Sequence, residues 1–281
     1  MFTVIGGIVV IASVLIGFSM AGGHMHSLFH LSEVVTIGGA SLGALIIMSP
    51  PKVLVDLLKA SIQLLKGSPY NKSIYVDLLK ITYNVAGIAR REGILALESH
   101  ITNVKDSTLF KSSTKVVHNH HAMEFLIRAL EMMVEGKSGD AITARLEQEI
   151  EVLEREHHAA SGALAKTADA LPGFGIVAAV LGIVVTMGHI DGPVEEIGHK
   201  VGAALVGTFL GILLSYGFFG PMAARMEATG EEEKLFLGSI ACAVVAIVGG
   251  TTPKEVVYQI ISGINTNCRP NENELKEIFG K

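Results

Sequence analysis

The chain has 281 residues, 49% of them hydrophobic and 17% charged, with 31 Gly, no Trp, a mean hydropathy of +0.48 and a formal charge of −5. Soluble domains carry about 25% charged residues, so this balance excludes disorder, a fibre and a disulfide scaffold. A pI near 6.1 leaves no basic field for nucleic acid, and two cysteines, Cys242 and Cys268, neither staple a fold nor set a redox compartment.

The first apolar run, Phe2 to Ala21, holds no charge. As a helix it reaches about 30 Å, the thickness of a bilayer's hydrocarbon. No basic segment precedes it, which argues against a cleaved signal peptide. The second run, Val34 to Ser49, starts as a helix near Leu31 and is stopped by Pro50-Pro51-Lys52.

Residues 52–170 form a charged middle segment, with 15 basic and 15 acidic side chains. Ile74, Tyr75, Leu78, Leu79, Ile81, Thr82 and Val85 keep helical spacing, and Arg90 to Glu98 continue it. On one helix, eight residues put Arg90 and Glu98 about 12 Å apart and about 80° around the axis. By charge alone they read as a solvated face. Glu147, Glu149, Glu151, Glu154 and Glu156, interleaved with Ile150, Val152 and Leu153, predict an amphipathic helix leading back to the apolar segments.

The third run is Leu171 to Ile190 and the fourth Val201 to Met222. A fifth, Leu235 to Gly250, is short for a span and opens on Glu231, Glu232, Glu233 and Lys234; it reads as a buried helix in a tail outside the membrane. The expected fold is therefore all-α. It divides into transmembrane helices 1 and 2 (1–51), a helical cytoplasmic domain (52–170), transmembrane helices 3 and 4 (171–222) and a helical tail (223–281). Residues 1–51 hold no Lys or Arg, the segment 191–200 only Lys200, and the remaining basic residues lie in 52–170 and 223–281. Positive residues stay inside, so both termini and the middle segment are expected in the cytoplasm.

Small residues recur at four-residue spacing at Gly39 and Gly43, Ala178 and Gly182, and Gly207 and Gly211. Such faces let helices approach closely, within one chain or between copies. Pro172 starts the third run and Pro221 ends the fourth, each freeing a carbonyl one turn earlier, at Ala168 and Gly217. None of the four cores holds Asp, Glu, Lys or Arg; Glu33 borders the second, and His189 and Asp191 the third. The interior polar groups are hydroxyls, chiefly Thr36, Ser41, Thr186, Thr208 and Ser215. A proton relay needs a titratable group, so proton conduction requires a carboxylate from a partner. His118, His120, His121, His157, His158, His24, His26 and His30 invite a metal reading, but no Cys pair or acidic partner accompanies them. With no nucleophile triad or phosphate loop, neither an enzyme, a metal site nor a cofactor is expected.

Two stretches carry a family resemblance: Leu171-Pro172-x-Phe174-Gly175-Ile176-Val177-Ala178-Ala179-Val180-Leu181-Gly182, and Val206-Gly207-Thr208-Phe209-Leu210-Gly211-Ile212-Leu213-Leu214-x-Tyr216-Gly217-Phe218-x-x-Pro221. With two spans before them and Arg90 to Glu98 between, the chain resembles the MotA family of flagellar stator subunits, within the wider MotA/TolQ/ExbB group. The resemblance implies a bacterial inner-membrane protein forming a ring of five around two helices of MotB. That partner would bring a membrane Asp and a peptidoglycan anchor. It also implies that Arg90 and Glu98 contact the rotor protein FliG, that Pro172 and Pro221 couple proton passage to motion, and that Thr208, with Thr186, lines the ion path. Sodium-driven relatives carry Thr where this chain has Ala179, so the implied ion is the proton. A TolQ- or ExbB-like energiser of another envelope process and a non-conducting scaffold are the competing readings.

Overall fold

Apolar length dominates the first helices of the computed structural model, which describes residues 2–104, 107–111 and 114–280. In chain order the helices are α1 (Phe2–Met20), α2 (Leu31–Met48), α3 (Pro51–Lys66), α4 (Lys72–Glu92), α5 (Glu98–Thr102), α6 (Thr108–Lys111), α7 (Thr114–His118), α8 (His120–Val134), α9 (Gly139–Met187), α10 (Val194–Leu214), α11 (Gly220–Val248), α12 (Pro253–Gly263) and α13 (Glu272–Ile278). Among the described residues there is no strand. Among the described residues, four helical stretches have the length and composition to cross a membrane: Thr3–Met20, Met25–Met48, and one each within Gly139–Met187 and Val194–Val248.

The chain divides into two compact units. The first comprises residues 1–67 and 156–228. Its helices turn apolar side chains outward, Ile8, Ile47 and Val184 among them, which fits a hydrocarbon surround rather than water. Inside, Ile37 of α2 packs with Leu171 and Ala178 of α9. Leu57 and Leu64 of α3 pack with Ala160 and Leu164 of α9 and with Ala223 and Met226 of α11. Pro51 sits in the first turn of α3, where its missing N–H is no loss. So the helix after the double proline groups with the apolar helices.

The second unit comprises residues 68–155 and 229–281 and has the larger core. Its longer helices and the tail helix begin on side-chain caps: α4 on Asn71, which accepts from the Ser73 N–H, α8 on Asn119 from Ala122, α12 on Thr252 from Glu255, and α13 on Asn271, which forms a capping box with Glu274. The periodic face of α4 (Ile74, Leu78, Ile81, Val85) packs against α12 and shares one core with Val256 and Ile260 of that helix and with Phe125, Leu126 and Leu130 of α8. The fifth apolar run forms part of α11, and Phe236, Leu237, Ile240 and Val244 bury it here. Phe236 stacks edge-on against Tyr75 at 5.1 Å. Burial pushes the Tyr75 phenol up to about 12 and raises that of Tyr70 as well, so both stay neutral. The tail helix α13 is pinned to α4 by Lys72–Glu274 at 2.8 Å and Lys80–Glu277 at 2.6 Å.

Candidate functional site

Where α9 and α10 cross, neither has side chains to keep the other away. A methyl group on Gly175 would stand 2.8 Å from the Gly207 carbonyl oxygen; on Gly182, 2.7 Å from Ala204 Cβ; on Gly211, 2.6 Å from the Leu171 carbonyl oxygen. These distances mean backbone against backbone, the arrangement that lets helices associate where water offers no driving force. Ala178–Gly182 and Gly207–Gly211 therefore build a seam within the chain. Gly39 and Gly43 share the spacing but face nothing within 4 Å.

The seam brings some of the expected residues together. Ala179 is half-buried, its amide nitrogen 3.4 Å from where a Gly207 methyl would stand. Thr208, half-buried, lies against Gly175, its Cα 3.2 Å from that glycine's methyl position. Thr186 is seven residues beyond Ala179 on α9, about 10 Å along the axis. It is buried, and its hydroxyl donates to the Gly182 carbonyl at 2.8 Å, the usual satisfaction of a threonine in an apolar helix.

Both prolines sit at the edges of apolar runs, as read from the sequence, and both lie in helices that continue past them. Pro172 does not begin a helix: α9 runs unbroken from Gly139 to Met187 with Pro172 inside it. The hydropathy run starts at Leu171 because the preceding turns are polar, not because the helix does. Pro172 therefore leaves the Ala168 carbonyl without its intrahelical donor in the middle of a long helix. Pro221 does not end one either. Residues Ser215–Phe219 form a π turn, in which the Gly220 N–H bonds the Ser215 carbonyl, and α11 continues from there. The wider turn absorbs the ring of Pro221, the usual cause of such a distortion. Leu171 and Phe219, close in sequence to the two prolines, share one apolar cluster.

A correction concerns charge. Glu33 does not border the second span; it lies in the first turn of α2 and is 6% exposed. Its Oε2 has no hydrogen-bond partner and sits 2.7 Å from the position a Gly207 methyl would take. The apolar helices thus hold a carboxylate of their own. Sequence reasoning missed it because the apolar run was counted from Val34. The signal was present in the helix start near Leu31, since an acid in a first turn suits the helix dipole.

In the second unit, Arg90 and Glu98 do not share a helix. Gly93, at φ +89°, caps α4 after Glu92, a short 3₁₀ turn covers Ile94–Leu97, and Glu98 opens α5. Only glycine takes that backbone without strain, so the regular spacing from Arg90 to Glu98 is broken. Both side chains are exposed, and neither pairs with an opposite charge among the described residues. No group of three or more His, Cys, Asp or Glu side chains converges to hold a metal among the described residues.

Comparison with known proteins gives a consistent answer. Residues 4–93 match the family model for the motility protein A N-terminal region, and residues 117–237 match the MotA/TolQ/ExbB proton channel family. The chain is 34% identical to Motility protein A of Salmonella typhimurium over 278 residues, covering 99% of this chain and 94% of that one. It is 33% identical to Motility protein A of Escherichia coli, with the same coverage, and to chemotaxis protein LafT of Vibrio parahaemolyticus, covering 97% and 96%. Its fold resembles the solved C. jejuni MotAB structure, with a TM-score of 0.81 at 24% identity over 94% of this chain and 96% of that one. The flagellar MotAB stator complex of Bacillus subtilis gives a TM-score of 0.79 at 24% identity, over 95% and 98%.

Proposed function

The chain belongs to the MotA/TolQ/ExbB proton channel family and is a flagellar-motor stator subunit, and we propose that five copies of it surround two helices of a MotB-type partner to form a proton-driven rotary ring. The observation that carries the reading is identity of 34% with a Motility protein A over nearly the full length of both chains. The same likeness disfavours an envelope energiser of the TolQ or ExbB kind. Both termini and the charged second unit face the cytoplasm, where Lys and Arg accumulate. No enzymatic step is part of the function.

The partner's Asp takes up a proton from outside, which removes the cost of a charge in a low-dielectric site, and releases it inward. Thr208, Ala179 and Thr186 line the route. A methyl at Ala179 offers no oxygen to a dehydrated sodium ion, whereas a proton needs no coordination cage. Each charge crossing 100 mV supplies about 2.3 kcal/mol, so rotation sums many transfers. Five subunits cannot face two central helices equivalently, and each discharge favours a new register. Pro172 within α9 and the π turn before Pro221 give the helices places to bend. Arg90 and Glu98 meet complementary charges on the rotor protein FliG.

Co-purification with the MotB-type partner, followed by the mass of the intact complex, tests the assembly. Five chains to two partners is expected. A stable complex of any other ratio, or a chain that never retains the partner, overturns it.

A further inference from the structure

A carboxylate with a buried, unpartnered oxygen is costly wherever it occurs. Glu33 Oε2 is enclosed between α2, α9 and α10: the notch left by Gly207 receives it, and Ala178 Cβ and the Ala179 amide nitrogen line the same notch, 3.0 and 3.4 Å from the methyl position. Among the described residues, no charged side chain of α9 or α10 acts on it. The groups that act on it come from its own segment: the Ser32 side chain as hydrogen-bond partner and His30 as electrostatic neighbour. An ionised carboxylate in such a place, its Oε2 without a hydrogen-bond partner, loses its hydration without return. A structural side chain would be better apolar. The chemistry left to a carboxyl group there is to bind a proton on Oε2 and give it up again. Ala179 and Thr208, on the proposed ion path, belong to the same seam.

We propose that Glu33 is a proton-carrying site of the stator, supplied by this chain in addition to the partner's Asp, with Gly207 as its seat. A proton from outside water binds Oε2, and the neutral acid then delivers that proton to the next carboxylate inward, returning to the anion. This deepens the reading of the chain as a proton-conducting subunit and rests on it.

The test uses the full chain co-reconstituted with its partner into vesicles holding a pH-sensitive dye. In Glu33→Gln, proton flux is expected to fall about tenfold or more, with co-purification of the partner unchanged, while Glu33→Asp keeps a measurable part of it. An infrared carboxylic-acid band, present in the wild-type complex and shifted in Glu33→Asp, is expected to vanish in Glu33→Gln. Survival in Glu33→Gln of that same band, the one that shifts in Glu33→Asp and so is not the partner's Asp, or a Gln variant that conducts like the wild type, overturns the proposal. If Glu33→Gln does not assemble, Glu33→Asp decides: flux and band both unchanged overturn it. A wild-type complex that does not conduct overturns the stator reading instead, and the infrared band still decides whether Glu33 carries a proton.

Discussion

Replacing Gly211 by Ala is expected to destabilise the apolar unit by about 1–3 kcal/mol, the usual cost of overpacking, and Gly211→Leu to abolish partner retention and swimming. The added Cβ stands 2.6 Å from the Leu171 carbonyl oxygen and 3.0 Å from Gly175 Cα. Both are backbone atoms, so no side chain can swing aside and the helices themselves must separate. Leu171 belongs with Ile37 and Phe219 to the same apolar cluster, so separation reaches α2 as well as the turn before Pro221. Gly39→Ala is the matched control, because nothing in the chain lies within 4 Å of it. Thermal unfolding of the detergent-solubilised chain checks both: a lower midpoint for Gly211→Ala, and an unchanged or slightly raised one for Gly39→Ala, since Ala favours a helix over Gly where there is room for it. Equal midpoints for Gly211→Ala and the wild type would remove the seam from the account.

Reversing the two exposed charges together, Arg90→Glu with Glu98→Lys, is expected to abolish swimming while leaving the protein folded and inserted. Neither side chain pairs with an opposite charge among the described residues, and exposed substitutions of this kind usually stay within about 0.5 kcal/mol of neutral. Across an interface the same change sets like charges against each other, a cost of several kcal/mol. Compensating reversals on the rotor protein should restore part of the motility. Swim-ring diameter and the yield of membrane-inserted complex measure the two effects separately. Wild-type swimming in the double variant would take both residues out of the rotor contact.

Much of this fold is legible in the sequence, for a simple reason: charge-free runs as long as Phe2 to Ala21 have few places to go other than hydrocarbon. Boundaries were less legible. Hydropathy marks where a helix becomes apolar, not where it begins, so the run opening at Leu171-Pro172 gives no sign of the polar turns that precede it in a helix of 49 residues. Periodicity across Arg90 to Glu98 hid Gly93, whose positive φ ends α4. The three small-residue pairs look alike in sequence, yet two of them close a seam and the third is open. Only packing distinguishes them. Glu33 was hidden for a related reason, since its burial depends on Gly207, far along the chain. The π turn at Ser215–Phe219 accompanies Pro221 within a continuing helix; the proline signals a distortion in the sequence, but not its form.

The claim on which the rest depends is that this chain converts proton flow into rotation together with a partner. Rotation speed of tethered cells lacking their own stator, supplied with this chain and its MotB-type partner, measures it directly while a protonophore is titrated in. Rotation that slows in step with the collapsing proton gradient and is indifferent to sodium is the predicted result. Cells that assemble the complex and never turn, or that turn on sodium after the proton gradient is gone, would contradict it.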